Sequence, residues 1–80
     1  MDRVDVYNRL NKVFRDVFDD ENINLSEETT AKDIDGWDSF EHINLLVAIE
    51  DEFSFKIPMS KVVNLKNVGE IVDIVLELGK

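Results

Sequence analysis

Cysteine is absent from this sequence. Disulfides, thiolate nucleophiles and zinc–thiolate centres are therefore excluded. Histidine occurs once, at His42, too few for a multi-histidine metal centre. Basic residues are scarce as well: nine Lys and Arg stand against eighteen Asp and Glu, for a formal charge of -9. Phosphate recognition needs a basic face, so nucleic acid is a poor partner and an anionic membrane is disfavoured for the same reason. The natural complement is a positively charged protein surface, approached under salt-sensitive steering. No apolar run nears membrane-spanning length, and the opening Met-Asp-Arg-Val is unlike a secretory signal. The expectation is a cytoplasmic, monomeric chain without membrane insertion. Eighty residues allow one core, hence a single domain over 1–80. An apolar fraction of 44% is enough to fold it.

Val4, Tyr7, Leu10, Phe14, Val17 and Phe18 recur at helical spacing with polar residues between them. They predict an amphipathic helix from about Arg3 to Asp19. Asp20 to Asp38 breaks the period and is rich in turn and cap formers. So long a connection in a small domain needs pinning, and Ile23, Leu25, Ile34 and Trp37 are the side chains expected to hold it across the helix ends. Ser26-Glu-Glu-Thr29 predicts a short turn. Asp20-x-Asn22-x-Asn24 opens like a calcium loop, but the sixth position is Leu25 instead of glycine and the twelfth is Ala31 instead of glutamate. Without the tight turn and the bidentate ligand, a polar turn is the preferred reading and no metal site is expected.

Ser39 to Phe53 contains neither proline nor glycine and predicts a helix of about four turns. At about 100° per residue, Ile43, Leu45, Leu46, Ile49 and Phe53 form the expected buried face. Glu41, Asn44, Ala48, Asp51 and Glu52 fall opposite, with Phe40 and Val47 at their edge. An acidic face with an apolar border suits a basic partner that has a small apolar patch. Packing of Phe40 and Val47 on the loop is the competing reading. Ser54 to Pro58 reads as a connection anchored by Phe55 and Ile57. Met59 to Asn64 predicts one or two helical turns with Met59, Val62 and Val63 inward. Asn67 and Glu70 form an Asn-x-x-Glu capping box for a last helix carrying Val68, Ile71, Val72, Val75 and Leu78, stopped by Gly79. The sum is all-α: three main helices, a short third helix and a long first loop.

The stretch Gly36-Trp37-Asp38-Ser39-Phe40 holds the candidate site. In one reading Asp38 caps the helix, with Glu41 completing an Asp-x-x-Glu box and Ser39 only its first residue. In another, Ser39 is a nucleophile activated by His42; an 80-residue helical chain offers little cleft for that chemistry, and the glycine of a nucleophile elbow is missing two residues on. In a third, Ser39 accepts a phosphate at a helix N-terminus, against repulsion from Asp38 and Glu41. In the fourth, Ser39 carries a prosthetic group.

For the fourth there is a resemblance. Asp33-Ile-Asp-Gly-Trp-Asp-Ser-Phe40, Leu45-Leu-Val-Ala-Ile-Glu-Asp-Glu-Phe53 and Ile57-Pro58 together resemble the acyl carrier proteins. The resemblance implies a four-helix bundle that is not itself an enzyme. It implies 4'-phosphopantetheine on Ser39, within the motif that Asp38 begins, placed there from coenzyme A by a separate magnesium-dependent phosphopantetheinyl transferase. Acyl groups would then travel as thioesters to acyl-transfer, condensing or ligase enzymes with basic docking surfaces. By position, Phe40, Glu41, Asn44, Val47, Ala48, Glu50 and Asp51 match the family's recognition face, although the helical wheel puts Glu50 nearer the core boundary. Phe40 replaces the usual Leu or Met, Asn44 stands where glutamate is common, and the short third helix has Lys61 in place of acids. Gly-Trp-Asp-Ser-x-x-His resembles specialised stand-alone carriers, which favours a dedicated pathway over bulk fatty-acid synthesis. An unmodified acidic adaptor for a basic partner is the alternative from a different class.

Overall fold

The computed structural model describes residues 2–62 and 65–79, with the side chains of Met59 and Val62 outside that description. Helix α1 spans Arg3–Phe18, a 3-10 turn spans Ala31–Asp33, and α2 (Ser39–Phe53), α3 (Met59–Val62) and α4 (Val68–Leu78) follow. The order matches the expected three main helices and short third one. The α1 start is set by Asp2, whose carboxylate accepts from the Asp5 amide at 2.9 Å. Its end is set by Asp19, which takes the left-handed conformation at φ 51° and donates its N–H to the Arg15 carbonyl.

α1 packs against both α2 and α4, and the core lies between the three. Val6, Leu10, Val13 and Phe14 meet Leu45, Ile49 and Phe53 of α2 and Val68, Ile71, Val72 and Val75 of α4 there. Two expectations need correction. Val4, expected in the stripe of α1, is 67% exposed, while Val6 and Val13 are buried. The reason is angular: Val4 lies about 120° around the helix from Leu10, whereas Val6 and Val13 lie within about 60° of it. Ile43, expected in the core, is 59% exposed.

The long connection is pinned as expected, and by polar groups as well as apolar ones. Ile23 and Ile34 are buried, and Leu25 and Trp37 pack against the same cluster. From α1, Asn11 accepts from the Leu25 amide at 2.8 Å, and Arg15 donates to the Ile23 carbonyl and to Asn24 Oδ1, each at 2.8 Å. Asn24 is thus held by a guanidinium, and Asp20 closes a local turn by accepting from the Asn22 amide at 2.9 Å. Two of the three oxygen side chains of the calcium-like run serve the turn itself. Ser26 and Thr29 close the expected short turn. The 3-10 turn was not expected; Thr30 and Asp33 box its start, with the Thr30 amide donating to Asp33 Oδ2 at 2.9 Å.

The first-turn amides of α4 find their acceptors in this same loop. Val68 donates to the Thr29 carbonyl at 2.8 Å and Gly69 to the Glu27 carbonyl at 3.1 Å. Asn67 caps Glu70 at 3.0 Å as expected, but the Glu70 carboxylate reaches Lys66 N–H at 2.6 Å, one residue before the cap. Gly79 ends α4 with φ -84°, so it stops the helix without a left-handed turn. Arg3 draws α1, the loop and α4 together through Glu27 and Asp73. Lys61 joins α3 to Glu77 of α4 at 3.1 Å. The expected extension to Asn64 and the inward placement of Met59, Val62 and Val63 lie outside the described residues.

Candidate functional site

The approach to α2 is a tight turn. Trp37 N–H donates to the Ile34 carbonyl at 3.3 Å and Asp38 N–H to the Gly36 carbonyl at 3.0 Å. Gly36 sits at φ 89°, a conformation that side chains other than hydrogen resist. The turn delivers Asp38 in extended conformation as N-cap, its Oδ1 accepting from the Glu41 amide at 2.8 Å. Only half of the expected capping box forms. The Glu41 carboxylate accepts from Asn44 Nδ2 at 3.0 Å instead of reaching back to the cap. Ser39 is the first residue of α2 and is exposed. Among the described residues no side chain engages its hydroxyl. The amide dipoles of α2 end there, which favours an anion at that position.

Trp37 anchors the turn. Its ring stands edge-on to Phe14 at 5.3 Å, tilts against Phe18 at 6.1 Å and stacks on His42 at 6.0 Å and 16°. Its Nε1–H donates to His42 Nδ1 at 3.0 Å. An indole nitrogen is only a donor, so Nδ1 must be the accepting nitrogen and the neutral imidazole carries its proton on Nε2. In that tautomer His42 has no spare lone pair to remove a proton from Ser39. The nucleophile reading therefore loses its base. The run Gly-Trp-Asp-Ser-x-x-His contains both residues, but their hydrogen bond is not readable from it, because it depends on where the turn returns the indole.

Of the remaining residues singled out on α2, Phe40 is 73% and Val47 52% exposed. Asn44 and Asp51 are exposed as well, and Glu41 is half-buried. Ala48 is half-buried and packs on the core from the side facing α1. Glu50 turns toward the loop after α2, where it accepts from the Ile57 amide at 2.7 Å. Glu52, expected on the open acidic face, is instead paired to Arg9 of α1 at 2.8 Å, and the Arg9 guanidinium also lies 4.4 Å over the Phe53 ring. Ile43 is the addition: with Phe40 and Val47 it makes an exposed apolar stripe at successive helical turns. The signal was available, since at about 100° per residue Ile43 stands about 60° from Phe40 and about 40° from Val47 but about 160° from Leu45.

On the side of α1 that meets Glu27, Tyr7 is half-buried and its hydroxyl, though close to the Glu27 carboxylate, makes no hydrogen bond of good geometry. Burial, followed by the nearby Glu27 carboxylate, pushes its pKa up to about 12. Arg3, by hydrogen bonding, holds Glu27 below the usual glutamate value. Among the described residues no helix is long and apolar enough to cross a membrane, and no group of three or more His, Cys, Asp or Glu could hold a metal ion.

The family model described as "Phosphopantetheine attachment site" matches residues 8–75, most of the chain. The chain is 26% identical over 78 residues to an acyl carrier protein of Saccharopolyspora erythraea, covering 98% of this chain and 82% of that one. It is 38% identical over 61 residues to a mitochondrial acyl carrier protein of Saccharomyces cerevisiae, covering 70% of this chain and 49% of that one. In three dimensions it matches the solution structure of a holo acyl carrier protein from Geobacter metallireducens with a TM-score of 0.84 and 43% identity, over 90% of this chain and 83% of that one. An open hydroxyl at a capped helix start, on an all-α frame of this shape, fits the group that the family model names. The chain belongs to the acyl carrier proteins, non-catalytic proteins that carry phosphopantetheine.

Proposed function

We propose that Ser39 is the attachment residue and that the chain presents acyl intermediates to partner enzymes from it. The observation that carries this reading is the exposed, unengaged hydroxyl at the first position of α2. Asp38 fixes the helix start, so the hydroxyl stays in the open, and Trp37 holds the turn to α1 through Phe14 and Phe18. The dipole of α2 favours the phosphodiester that attachment creates. When bound, the group supplies a thiol at the end of a flexible arm, on which acyl groups ride as thioesters. The chain has no cysteine of its own to compete for them.

Loading falls to a separate phosphopantetheinyl transferase. It joins the Ser39 oxygen to a phosphorus of coenzyme A as the nucleotide portion leaves with the other phosphate. The docking face for transferase and acyl-handling enzymes is Phe40, Glu41, Asn44, Val47, Ala48, Glu50 and Asp51 of α2. Ile43 widens its apolar part. The net charge of -9 selects partners with basic surfaces. The bulky Trp37 and Phe40 flanking Asp38-Ser39 favour a dedicated pathway over bulk fatty-acid synthesis, in a cytoplasmic setting.

Intact mass after incubation with coenzyme A and a broad-specificity transferase tests the attachment. One added phosphopantetheine is expected on the wild-type chain and none on Ser39→Ala. An unchanged wild-type mass, under conditions that load a control carrier, overturns the assignment.

A further inference from the structure

We infer that His42 is a binding residue for the phosphodiester on Ser39, donating from Nε2, and that Trp37 is the positioning residue that makes it a donor. The inference rests on the attachment reading above. Three observations carry it. First, Trp37 Nε1–H occupies His42 Nδ1 at 3.0 Å, which leaves the proton of the neutral ring on Nε2. Second, among the described residues Nε2 has no partner, although the ring is half-buried and stacked at 16° on the indole. A donor held this firmly and left unused has its orientation fixed before any ligand arrives, so little freedom remains to be lost on binding. Third, His42 follows Ser39 by three residues on one helix, and such pairs have Cβ atoms about 5–6 Å apart. Helical side chains lean toward the N-terminus, so residue 42 leans back toward the turn that begins with Asp38 and Ser39.

Charge narrows the choice of ligand. Between residues 33 and 55 there is no lysine or arginine, and His42 is the one basic side chain. The acids Asp38 and Glu41 flank the proposed attachment residue in sequence, with Asp38 committed to the Glu41 amide and Glu41 to Asn44. A phosphodiester placed here meets acids and helix amides. The Nε2–H supplies a side-chain donor without adding a positive charge that would draw those acids inward. Trp37 thereby acquires a second role besides anchoring: it selects the tautomer. This gives a physical reason for tryptophan beside the attachment residue, because phenylalanine is apolar and aromatic too but could not donate.

The test uses the full chain labelled with 15N, unloaded and loaded with phosphopantetheine from coenzyme A, with intact mass as the loading check. Long-range 1H–15N spectra report which nitrogen of His42 bears the proton, and 31P spectra report the phosphodiester. The expected result is the Nε2–H tautomer in both states. On loading, the Nε2–H resonance should move downfield and exchange with water more slowly. In Trp37→Phe the Nδ1–H tautomer should become populated and the loading-induced change should shrink. In loaded His42→Ala the 31P resonance should shift from its wild-type position. A chain that loads fully while the Nε2–H resonance stays where it was overturns the inference and leaves the attachment reading intact. So does a Trp37→Phe variant with an unaltered tautomer. A chain that gains no mass overturns the attachment reading first. The comparison of unloaded and loaded wild type needs no variant, so misfolding of a variant does not shelter the idea.

Discussion

Gly69→Ala separates two physical effects of opposite sign. Gly69 is buried in the first turn of α4, in ordinary helical conformation. By helix propensity alone, alanine there should stabilise the chain by about 1 kcal/mol. The packing says otherwise. A Cβ at this position would stand 2.9 Å from the Glu27 carbonyl oxygen and closer still to the Glu27 carboxylate. The carboxylate could swing away, at the expense of its contact with Arg3. The carbonyl is backbone, and it is the acceptor for the Gly69 amide. To make room the loop must withdraw, which strains both that bond and the neighbouring one from Val68 to Thr29. Overpacking of this kind costs about 1–3 kcal/mol. Two weakened hydrogen bonds add about 0.5–1.5 kcal/mol each if lost outright. Set against the propensity gain, the net expectation is a loss of about 1–2 kcal/mol, with steric effects winning. At about 4–8 °C per kcal/mol for a domain of this size, the midpoint should fall by roughly 5–15 °C. Thermal and urea unfolding followed by far-ultraviolet circular dichroism gives the answer, with native helical content expected to be retained. A variant as stable as the wild type, or more so, would refute the claim that the loop backbone is seated against α4 at Gly69.

Acid should loosen the same seat. Arg3 holds Glu27 below its ordinary value of 4.5, so the contribution of this pair is complete above that value. It should be lost as pH falls from 4.5 through the lowered folded-state value, and stability measured across that window should fall less steeply in Arg3→Gln. At the alkaline end the sign reverses: Tyr7 titrates near 12 in the fold against 10.0 ordinarily, so its neutral form favours folding up to pH 10 and that contribution fades between the two values. On the proposed docking face, Glu41→Lys with Asp51→Lys should slow association with the transferase roughly 10-fold or more at low salt, with the difference narrowing as salt rises. Unaltered association kinetics at low salt would remove those two acids from the face, and collapse of helical content would show that they serve the fold.

Much of the fold was legible because the helices announce their own ends. Asp38 and Asn67 each cap through the side chain at the position read from sequence, and the Ser39–Phe53 boundaries agree at both ends. Caps act over three residues, so local sequence contains them whole. Val4 and Ile43 were misplaced for a different reason. Both lie well off the core axis of their helices, and apolar character outweighed angle in assigning them. The long loop shows the limit most clearly. Its apolar pins were readable, whereas Asn11, Arg15 and the α4 amides that receive its backbone are separated from it by up to tens of residues. Nothing local marks a carbonyl as the acceptor for a distant helix start. Among the proposed docking residues, Glu50 is where wheel and resemblance diverged. Its bond to the Ile57 amide means that a partner engaging it must compete with the loop that follows α2.

The site itself divides along the same line between local and distant causes. Asp38 holds the start of α2 by a bond three residues long, and any helix with that cap could expose a serine beside it. What the cap cannot do is fix where that helix start lies relative to the rest of the chain. Trp37 does this, because its ring spans from Phe14 and Phe18 on α1 to His42 on α2. The two devices are mechanically independent, so they should fail differently. Loss of the cap frays the first turn and loosens Ser39 while the indole stays seated. Loss of the indole leaves Ser39 in a well-formed helix whose start is free to shift against α1. Under the proposed attachment, an enzyme that brings a reactive centre to Ser39 while gripping α2 depends on both. Sequence variation at Trp37 is therefore expected to change partner recognition more than it changes helix content, since the residue acts on the proposed attachment point through the frame that holds it and through His42.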